Sequence, residues 1–208
     1  MDSPAVEMEK AVDVLQAGGI LLAPTDTVWG MMCDFKNADT LASIFKIKKS
    51  EPKPTAILCD SLERLDMLQL ELSPSIEKLM QTFWPGPLTI ILSSRLADIS
   101  HIAGDKNSLG IRLPDAADLR SLIRLFGRPV AATSANLSGE PAPQSLDKVP
   151  DEIIANVDYI CRFKDEPSGE ASTVIDCTGE KIHVIREGLI RLEDLAGTVD
   201  SNARQSRF

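Results

Sequence analysis

The sequence predicts a three-layer α/β (α+β) domain, with helices on both faces of a twisted, mixed β-sheet. The 208 residues are enough for one large domain, and a content of 43% hydrophobic and 25% charged residues is ordinary for a folded protein. Helical and extended patterns alternate along the chain, which favours an α/β fold. Several short strands follow one another closely, which favours a mixed sheet over a parallel one. We expect one domain over residues 1–197 and a flexible tail over 198–208.

The chain opens with a predicted helix that is followed by two buried strands. Ser3-Pro4 supplies an N-cap and a proline at the first helical position, apolar residues then recur at helical spacing, and Gly18-Gly19 ends the pattern. The apolar runs at 20–23 and 28–33 predict two strands around a tight polar element at 24–27. We therefore expect polar side chains to concentrate at the corner between these two strands.

The middle of the chain predicts three helices and one strand. Apolar residues at helical spacing mark 37–46, 61–70 and 73–83, and the apolar run at 55–58 marks a strand after a lysine-rich loop. The sequence Trp-Pro-Gly-Pro at 84–87 ends the last of these helices, because proline and glycine interrupt regular structure.

The remaining elements continue the alternation. Strands are expected at 88–92, 109–113, 130–133, 159–162, 173–176 and 182–186. Helices are expected at 115–126 and 144–149.

Composition and missing motifs argue against several classes of function. The net charge is −9 and the pI is near 4.8, whereas proteins that wrap nucleic acid or coat anionic membranes are usually basic. P-loop, Rossmann and nucleophile-elbow motifs are missing, and two histidines with four widely spaced cysteines predict no metal site built by the protein. The acidic start lacks a signal-peptide core and no apolar run reaches membrane-spanning length, so we expect a cytoplasmic protein without membrane contact.

Four lysines lie within the eight residues 46–53 of this acidic chain: Lys46, Lys48, Lys49 and Lys53. Lysine ammonium groups neutralise phosphate oxygens, and a loop that follows a helix can fold over a bound polyphosphate. The alternative is a solvated helix end, where cations are favourable in any case. Charge alone favours this simpler interpretation.

A second candidate is the polar turn that follows the predicted strand at 130–133. Ser134 and Asn136 come directly after this apolar run. In α/β sheets, ligands bind beyond the carboxyl ends of strands, where such side chains can hydrogen-bond a base, a ribose or a phosphate. The alternative is an ordinary polar turn whose side chains bond their own backbone. Spacing leaves both interpretations open.

Two arginines and a serine form the third candidate group. Arg112 interrupts an apolar strand, where a guanidinium is costly unless it is paired, so it requires an internal carboxylate or a ligand. Arg186 ends an apolar strand in the same way and could stack on an adenine or reach a phosphate. Ser172 begins the segment at 172–176. For each arginine, a structural ion pair is as good an interpretation as a ligand contact.

Seven short motifs, taken in order, resemble those of the YrdC-like family. They are Pro-Thr-Asp-Thr-Val-Trp-Gly at 24–30, Lys-Ile-Lys at 46–48, Trp-Pro-Gly-Pro-Leu-Thr at 84–89, Gly-Ile-Arg-Leu-Pro at 110–114, Thr-Ser-Ala-Asn-Leu-Ser-Gly at 133–139, Ser-Thr-Val-Ile-Asp at 172–176 and Ile-Arg-Glu-Gly at 185–188. The resemblance covers most of the chain, from about the first helix to Gly188. It implies the single-domain form of the family's three-layer fold, with a concave substrate site.

The resemblance also implies an activity, which is the synthesis of L-threonylcarbamoyladenylate. A nucleotidyltransferase of this kind joins L-threonine, bicarbonate or carbon dioxide, and ATP, with Mg²⁺, to give threonylcarbamoyl-AMP and pyrophosphate. The product feeds the threonylcarbamoyladenosine modification of tRNA. The implied partners are therefore the small-molecule substrates and the downstream tRNA threonylcarbamoyl-transferase machinery, with a possible weak contact to double-stranded RNA or tRNA.

The resemblance further assigns roles to nine residues and assigns no metal ligand. Its ATP-binding residues are Lys46, Lys48, Ser134, Asn136, Ser172 and Arg186. Its threonine-binding residues are Thr25, Thr27 and Arg112, of which Arg112 is the natural partner for the amino-acid carboxylate. The two lysines are also its catalytic residues.

The chain departs from the family pattern at several positions. Lys48 replaces the arginine of the K-x-R motif, which keeps the charge but loses the two-point fork, and the loop after it is about one residue longer. Trp29 replaces a usual tyrosine, and Cys59 lies near a position where some members carry histidine. Two alternatives stay open: a paralogue that binds nucleotide or double-stranded RNA without synthase activity, and one that acts on another small substrate.

Overall fold

The structure, a computed structural model, describes residues 4–195 and 197–198. Its strands are β1 (Leu21–Pro24), β2 (Trp29–Asp34), β3 (Ala56–Leu58), β4 (Leu88–Ser93), β5 (Ser108–Arg112), β6 (Val130–Ser134), β7 (Tyr159–Ile160), β8 (Thr173–Asp176) and β9 (His183–Arg186). Its α-helices are α1 (Pro4–Gln16), α2 (Ala38–Ile47), α3 (Pro74–Phe83), α4 (Ala117–Phe126) and α5 (Asp151–Ile154). Every predicted strand is present, and most are buried, whereas β9 at the edge of the sheet is exposed along its length.

The strands form one mixed sheet in the order β7-β1-β2-β6-β3-β5-β4-β8-β9. The pairs β1 with β7, β3 with β5 and β4 with β8 are parallel, and the other neighbours are antiparallel. The tight element at 24–27 closes the antiparallel β1–β2 hairpin, in which Pro24 pairs with Trp29. The predicted mixed sheet is confirmed, and the polar corner lies where the sequence indicated.

Alternation along the strands divides the buried side chains between two cores. In the first strand and the residue before it, Ile20 and Leu22 belong to a larger core, whereas Leu21 and Ala23 belong to a smaller one. Buried residues of α2, α3 and α5 join the larger core, and buried residues of α1 and α4 join the smaller one. Because successive residues of a strand point to opposite faces, the helices form two outer layers around the sheet, as predicted.

The smaller core covers only part of its face of the sheet, and this opening produces the site. On β4, β5 and β8, the residues that point to this face include Thr89, Gly110 and Val174, which line a cavity. Their neighbours Ile90 and Ile111 point to the opposite face and are fully buried in the larger core. The sheet is thus sealed on one face and half open on the other.

Helix α2 shows how local chemistry fixes an element that leads into the site. The Asn37 side chain caps it by accepting from the Thr40 backbone N–H at 3.0 Å, and Thr40 Oγ1 donates to the Gly18 carbonyl oxygen at 2.7 Å. Gly18 has a φ of +80°, and a Cβ there would lie 2.8 Å from Asn37 Nδ2. Glycine is therefore required where α1 gives way to β1. No helix in the described part of the chain is long and apolar enough to span a membrane.

Two predicted helices are wrong in kind and length. The segment 61–70 forms a 3₁₀ turn at Glu63–Leu68, which ends at Gln69 in the left-handed conformation with a φ of 47°. The segment 144–149 forms only a 3₁₀ turn at Leu146–Lys148, and the short helix α5 that follows was not predicted. In the first segment, burial of Leu65 and Leu68 satisfies the apolar pattern within the six residues of this short 3₁₀ helix. The predicted N-cap Ser3 and the tail from residue 199 onward lie outside the described residues.

Helix α4 offers a matched test of the smaller core. Leu122 is fully buried in that core, whereas Leu125, on the same helix, is 63% exposed. We expect Leu122→Ala to lower the free energy of unfolding by about 3 kcal/mol, because it removes buried methyl groups and leaves a cavity. Leu125→Ala should change it by less than about 0.5 kcal/mol. Urea unfolding of both variants checks this, and equal losses would contradict the assignment of the buried face.

Candidate functional site

A cavity of about 620 Å³ lies on the half-open face of the sheet. Small-molecule sites commonly enclose about 300–1,000 Å³, so this volume suits a ligand larger than an amino acid alone. Its polar lining residues include Thr25, Thr27, Lys53, Thr89, Asp105, Ser108, Arg112, Ser134, Ser172, Asp176 and Arg186. The sheet therefore presents hydroxyl groups, carboxylates and three cationic side chains to one space.

Small residues form the floor of the cavity. Strand register places Ala132, Ala56 and Gly110 side by side on β6, β3 and β5, and Ile91 and Asp176 extend the same row. Three neighbouring positions thus carry no side chain larger than a methyl group. A ligand can approach the sheet closely there, with the Asp176 carboxylate at the end of the row.

Arg112 is the buried cation of the site and is only 5% exposed. Its Nε donates to the Gly86 carbonyl oxygen at 3.1 Å, and its Nη1 donates to Thr27 Oγ1 at 2.9 Å. Its Nη2 donates to the Asp26 carboxylate in an ion pair that is itself largely buried. The anion that the sequence required at Arg112 is therefore an internal carboxylate, and the arginine also lines the cavity.

Thr25 shapes the hairpin loop that presents Thr27 to Arg112. Thr25 Oγ1 accepts from the backbone N–H groups of Thr27 and Val28, each at 3.1 Å, and donates to the Val28 carbonyl oxygen at 2.8 Å. A threonine hydroxyl that bonds its own loop in this way replaces part of a backbone turn. Both predicted threonines line the cavity, with Thr25 fixing the loop and Thr27 in contact with the guanidinium.

Arg186 and Ser172 form another side of the cavity. Arg186 Nε and Nη2 donate to the Ser172 carbonyl oxygen at 3.1 and 3.0 Å, and Nη2 lies 3.2 Å from Ser172 Oγ. Ser172 Oγ lies 3.0 Å from Thr89 Oγ1. Desolvation, followed by the positive charge of Arg112, lowers the pKa of Arg186. The positive charge of Arg112 thus disfavours the charged form of Arg186, and an anionic ligand in the cavity would offset this effect.

Lys48 points at the turn after β6 rather than into the cavity. Its side chain is buried, and its Nζ donates to the carbonyl oxygens of Ser134 and Asn136, the latter at 2.7 Å. Burial and the nearby charge of Lys53 lower the pKa of Lys48 to about 8. Lys48, Ser134 and Asn136, which the sequence selected from two separate motifs, are in direct contact, but only Ser134 of the three lines the cavity.

The lysine-rich loop sends a different residue to the cavity. Lys53 lines it, whereas Lys46 is exposed at the end of α2 and lies outside its lining. Lys49 pairs with Glu152 at 2.7 Å on the surface. Lys53 belongs to the lysine run but was not among the predicted site residues, because spacing alone does not show which lysine turns towards the sheet.

Two further lining residues, Thr89 and Asp176, were also missed as site residues. Both lie inside motifs that the resemblance covers. Strand register is the observation that selects them, since Thr89 pairs with Val174 and Asp176 pairs with Ile91 on the cavity face. The alternation of side chains along β4 and β8 was therefore the available signal.

Metal-binding capacity is limited to scattered carboxylates. Within the described residues, no group of three or more His, Cys, Asp or Glu side chains is arranged to hold a metal ion. Asp105 and Asp176 are carboxylates that line the cavity. Mg²⁺ is commonly held by substrate phosphates and water with one or two carboxylates, so this donor set fits a Mg²⁺ ion that arrives with a nucleotide.

A mixed sheet with one half-open face and an arginine-lined cavity defines an α/β domain suited to binding a small anionic ligand. Comparison with known proteins gives the family. The Sua5/YciO/YrdC family profile, described as "Telomere recombination", matches residues 13–188. The chain belongs to this family, and the resemblance seen in its motifs is confirmed.

Individual relatives agree with this assignment. The threonylcarbamoyl-AMP synthase of Pyrococcus abyssi (strain GE5 / Orsay) is 32% identical over 186 residues, which cover 89% of this chain and 55% of that protein. A relative from Methanocaldococcus jannaschii is 31% identical over 195 residues, which cover 91% of each chain. The crystal structure of P. abyssi Sua5 complexed with L-threonine matches with a TM-score of 0.87 and 30% identity, over 96% of this chain and 58% of that one. The chain thus spans little more than half of the P. abyssi protein.

The ion pair between Asp26 and Arg112 gives a stability prediction. Asp26→Asn leaves the buried guanidinium without its carboxylate, and we expect the free energy of unfolding to fall by about 3 kcal/mol. The matched control is Glu71→Gln, which breaks the Arg95–Glu71 pair, whose side chains are 78% and 52% exposed. The free energy of unfolding of that variant should fall by less than about 0.5 kcal/mol. Denaturant unfolding compares the two, and a loss at Asp26 no larger than the control would refute the structural role of the pair.

Proposed function

We propose that this chain makes threonylcarbamoyl-AMP and pyrophosphate from L-threonine, bicarbonate or carbon dioxide, and ATP. The observation that carries the proposal is the gathering of six selected residues around one cavity. They are Thr25, Thr27, Arg112, Ser134, Ser172 and Arg186. Family membership and the names of the relatives support the same reaction.

Arg112 is the proposed contact for the threonine carboxylate. A guanidinium has five N–H groups, of which three donate to the acceptors named above, so two are left for a ligand. Asp26 holds the guanidinium in place, and Thr25 fixes the loop that carries Thr27 beside it. A preorganised arginine of this kind suits two-point recognition of a carboxylate.

The nucleotide is proposed to occupy the side of the cavity formed by Ser134, Ser172 and Arg186. The Arg186 guanidinium is suited to phosphate oxygens, and Lys53 adds a further cation to the lining. Lys46, Lys48 and Asn136 complete the set that the resemblance assigns to ATP. Of these, Lys48 and Asn136 lie behind Ser134, and Lys46, in the last turn of α2, would reach the phosphates only if this end of the helix moves towards them.

The proposed chemistry relies on positioning and charge neutralisation. The threonine amine adds to carbon dioxide and loses a proton, which gives a carbamate. A carbamate oxygen then bonds to the α-phosphorus while the bond to the bridging oxygen breaks, and pyrophosphate carries away the electron pair. The cations of the site stabilise the charge on the transferred and leaving phosphates. Mg²⁺ enters with ATP as part of the substrate, with Asp105 and Asp176 as nearby carboxylates.

The product is an activated carbamoyl adenylate, which a second enzyme must consume. We propose that this consumer is the tRNA threonylcarbamoyl-transferase machinery and that the reaction takes place in the cytoplasm. The relatives named for the synthesis of threonylcarbamoyl-AMP support this place in the sequence of reactions.

The direct test is product formation from ATP, radiolabelled bicarbonate and L-threonine with Mg²⁺. Each component is omitted in turn, and serine and other amino acids replace threonine. Labelled threonylcarbamoyl-AMP with an equal amount of pyrophosphate, dependent on every component, is the expected result. ATP binding without any product would remove the synthase proposal in favour of a non-catalytic paralogue.

Arg112→Lys tests the threonine contact. Lysine keeps a positive charge beside Asp26 but lacks the planar fork, so we expect the KM for threonine to rise by an amount equivalent to about 2 kcal/mol, roughly thirtyfold. The KM for ATP should change little. Steady-state kinetics with each substrate varied in turn measures both values, and thermal unfolding confirms that the variant is folded. A rise in the KM for ATP alone would assign Arg112 to the nucleotide instead.

Lys53→Gln and Lys46→Gln compare two exposed lysines of the run at 46–53, of which Lys46 lies in the last turn of α2 and Lys53 in the loop after it. Lys53 lines the cavity, and its loss should raise the KM for ATP about fivefold, since an exposed charge contact contributes on the order of 1 kcal/mol. Lys46→Gln tests the role that the resemblance assigns to Lys46, because a similar rise in the KM for ATP requires the end of α2 to move against the bound nucleotide. Lys49→Gln, at the residue that faces Glu152, should leave kinetics unchanged. An unchanged KM for ATP in Lys53→Gln would exclude Lys53 from the phosphate site.

A further inference from the structure

The segment 161–172 joins β7 to β8 without regular structure and crosses most of the sheet. β7 forms one edge and β8 is the eighth strand in order, so seven strand spacings separate the two. At about 4.8 Å for each spacing, this is a path of about 34 Å along the sheet. The chain between Ile160 and Thr173 extends to about 45 Å at most, so the segment has little slack. We call this segment the strap.

The first part of the strap is fastened to the N-terminus of α4. Ala116, at the N-cap position of this helix, makes no side-chain hydrogen bond to it. The Asp165 carboxylate accepts instead, from the backbone N–H groups of Asp118 at 3.3 Å and Leu119 at 3.0 Å. In return, the Lys164 N–H donates to the Asp118 carboxylate at 2.9 Å. Asp165 thus caps a helix whose own N-cap residue cannot do so.

The strap then reaches the hairpin loop at 24–27. Ser168 N–H donates to the Asp26 carbonyl oxygen at 3.0 Å, and Gly169 N–H donates to the Thr27 carbonyl oxygen at 2.8 Å. Asp26 and Thr27 are the same two residues whose side chains accept from Arg112. The strap therefore holds the backbone of the loop, and the loop holds the guanidinium in the cavity.

Polar contacts rather than apolar burial hold the strap between α4 and the hairpin loop. Phe163 packs against the smaller core. From 164 to 172, a stretch that the structure describes completely, no side chain belongs to either core. A segment with so few apolar contacts depends on its hydrogen bonds for its position. Loss of the Asp165 anchor should therefore loosen the strap as far as the hairpin loop.

We propose that Asp165 is a positioning residue, which fixes Arg112 in the cavity through the strap and the hairpin loop. Asp165 itself lies outside the cavity lining. The arrangement is a closed ring: Arg112 ends β5, α4 is the next element, and the strap leads from α4 to the loop that binds Arg112. The inference rests on the proposed function only in naming threonine as the ligand at Arg112.

Amide hydrogen exchange measured by NMR tests whether Asp165 anchors the strap as well as capping α4. In Asp165→Ala we expect the amides of Ser168 and Gly169 to exchange about fivefold faster, together with those of Asp118 and Leu119. Asp165→Asn keeps a side-chain oxygen that accepts, and asparagine caps helices as well as aspartate does, so it should restore slow exchange. Faster exchange confined to Asp118 and Leu119 would reduce Asp165 to a local cap and overturn the proposal.

Ligand binding tests whether the anchor acts on Arg112. By isothermal titration calorimetry, we expect Asp165→Ala to weaken threonine binding about fivefold and ATP binding less than about twofold. The nucleotide side is spared because Ser172, at the end of the strap, is held separately by Arg186 and Thr89. Asp165→Asn should bind threonine within about twofold of the wild-type protein. Unchanged threonine affinity in Asp165→Ala, or equal losses for both ligands, would overturn the proposal.

Ser73→Ala is the matched control because it removes a cap from another helix. Ser73 Oγ accepts from the Ile76 N–H at 3.4 Å at the start of α3, whose buried residues belong to the larger core. This variant should leave threonine affinity, and exchange at Ser168 and Gly169, unchanged. A threonine loss as large as that of Asp165→Ala would show that any lost cap has this effect and would contradict the proposal.

A second variant and the exchange readout keep the test decisive. If Asp165→Ala does not fold, Asp118→Ala replaces it with the same expectation at Ser168, Gly169 and threonine, because it removes the acceptor of the Lys164 N–H but leaves α4 capped. If the wild-type protein binds ATP but not threonine, the proposed function fails, whereas exchange at Ser168 and Gly169 still decides whether Asp165 anchors the strap.

Discussion

Arg112 places a positive charge inside the β-sheet, and segments distant in sequence close around it. Gly86 lies in the loop before β4, and Asp26 and Thr27 lie in the β1–β2 hairpin loop. A buried guanidinium without these acceptors would cost several kcal/mol, so both loops are held against β5. The same guanidinium lines the cavity. The interaction that closes the fold at this point therefore also fixes the geometry of the site.

The cavity exists because the two faces of the sheet are covered unequally. Residues of β4 and β5 alternate between apolar side chains such as Ile90 and Ile111, which are sealed under helices, and small or polar residues such as Thr89 and Gly110. The apolar half of this alternation provides the burial that holds the strands in register. The other half is then free to face a ligand, because its side chains are not needed for the core.

Most of the fold could be predicted because each strand is a short apolar run and each long helix has clear apolar spacing. The prediction at 61–70 failed because a short 3₁₀ helix that buries Leu65 and Leu68 satisfies the same spacing as a longer helix, and the segment at 144–149 forms only a three-residue 3₁₀ turn with no buried residue. In the site, the cost of burying a charge showed that Arg112 needs an anion, but not whether a carboxylate of the protein or a ligand supplies it.

The sequence did not predict the directions in which the long lysine side chains near the site point. Lys48 and Lys53 belong to one lysine run, yet Lys48 turns inward to the turn after β6, and Lys53 lines the cavity. Their spacing is compatible with either direction, because a lysine side chain has four rotatable bonds and the loop has no regular period. The Lys48 side chain points inward because the end of β6 lies beside the end of α2, and this tertiary arrangement cannot be predicted from residue spacing.

Electrostatics explains how an acidic protein can provide an anion site. The net charge of −9 repels anions from the surface as a whole, whereas the cavity is lined by three cations, Lys53, Arg112 and Arg186, against two carboxylates, Asp105 and Asp176. Desolvation and the positive charge of Arg112 lower the pKa of Arg186. An anionic ligand in the cavity would offset this effect. Local placement of charge, rather than the overall balance of charge, therefore determines where an anion binds.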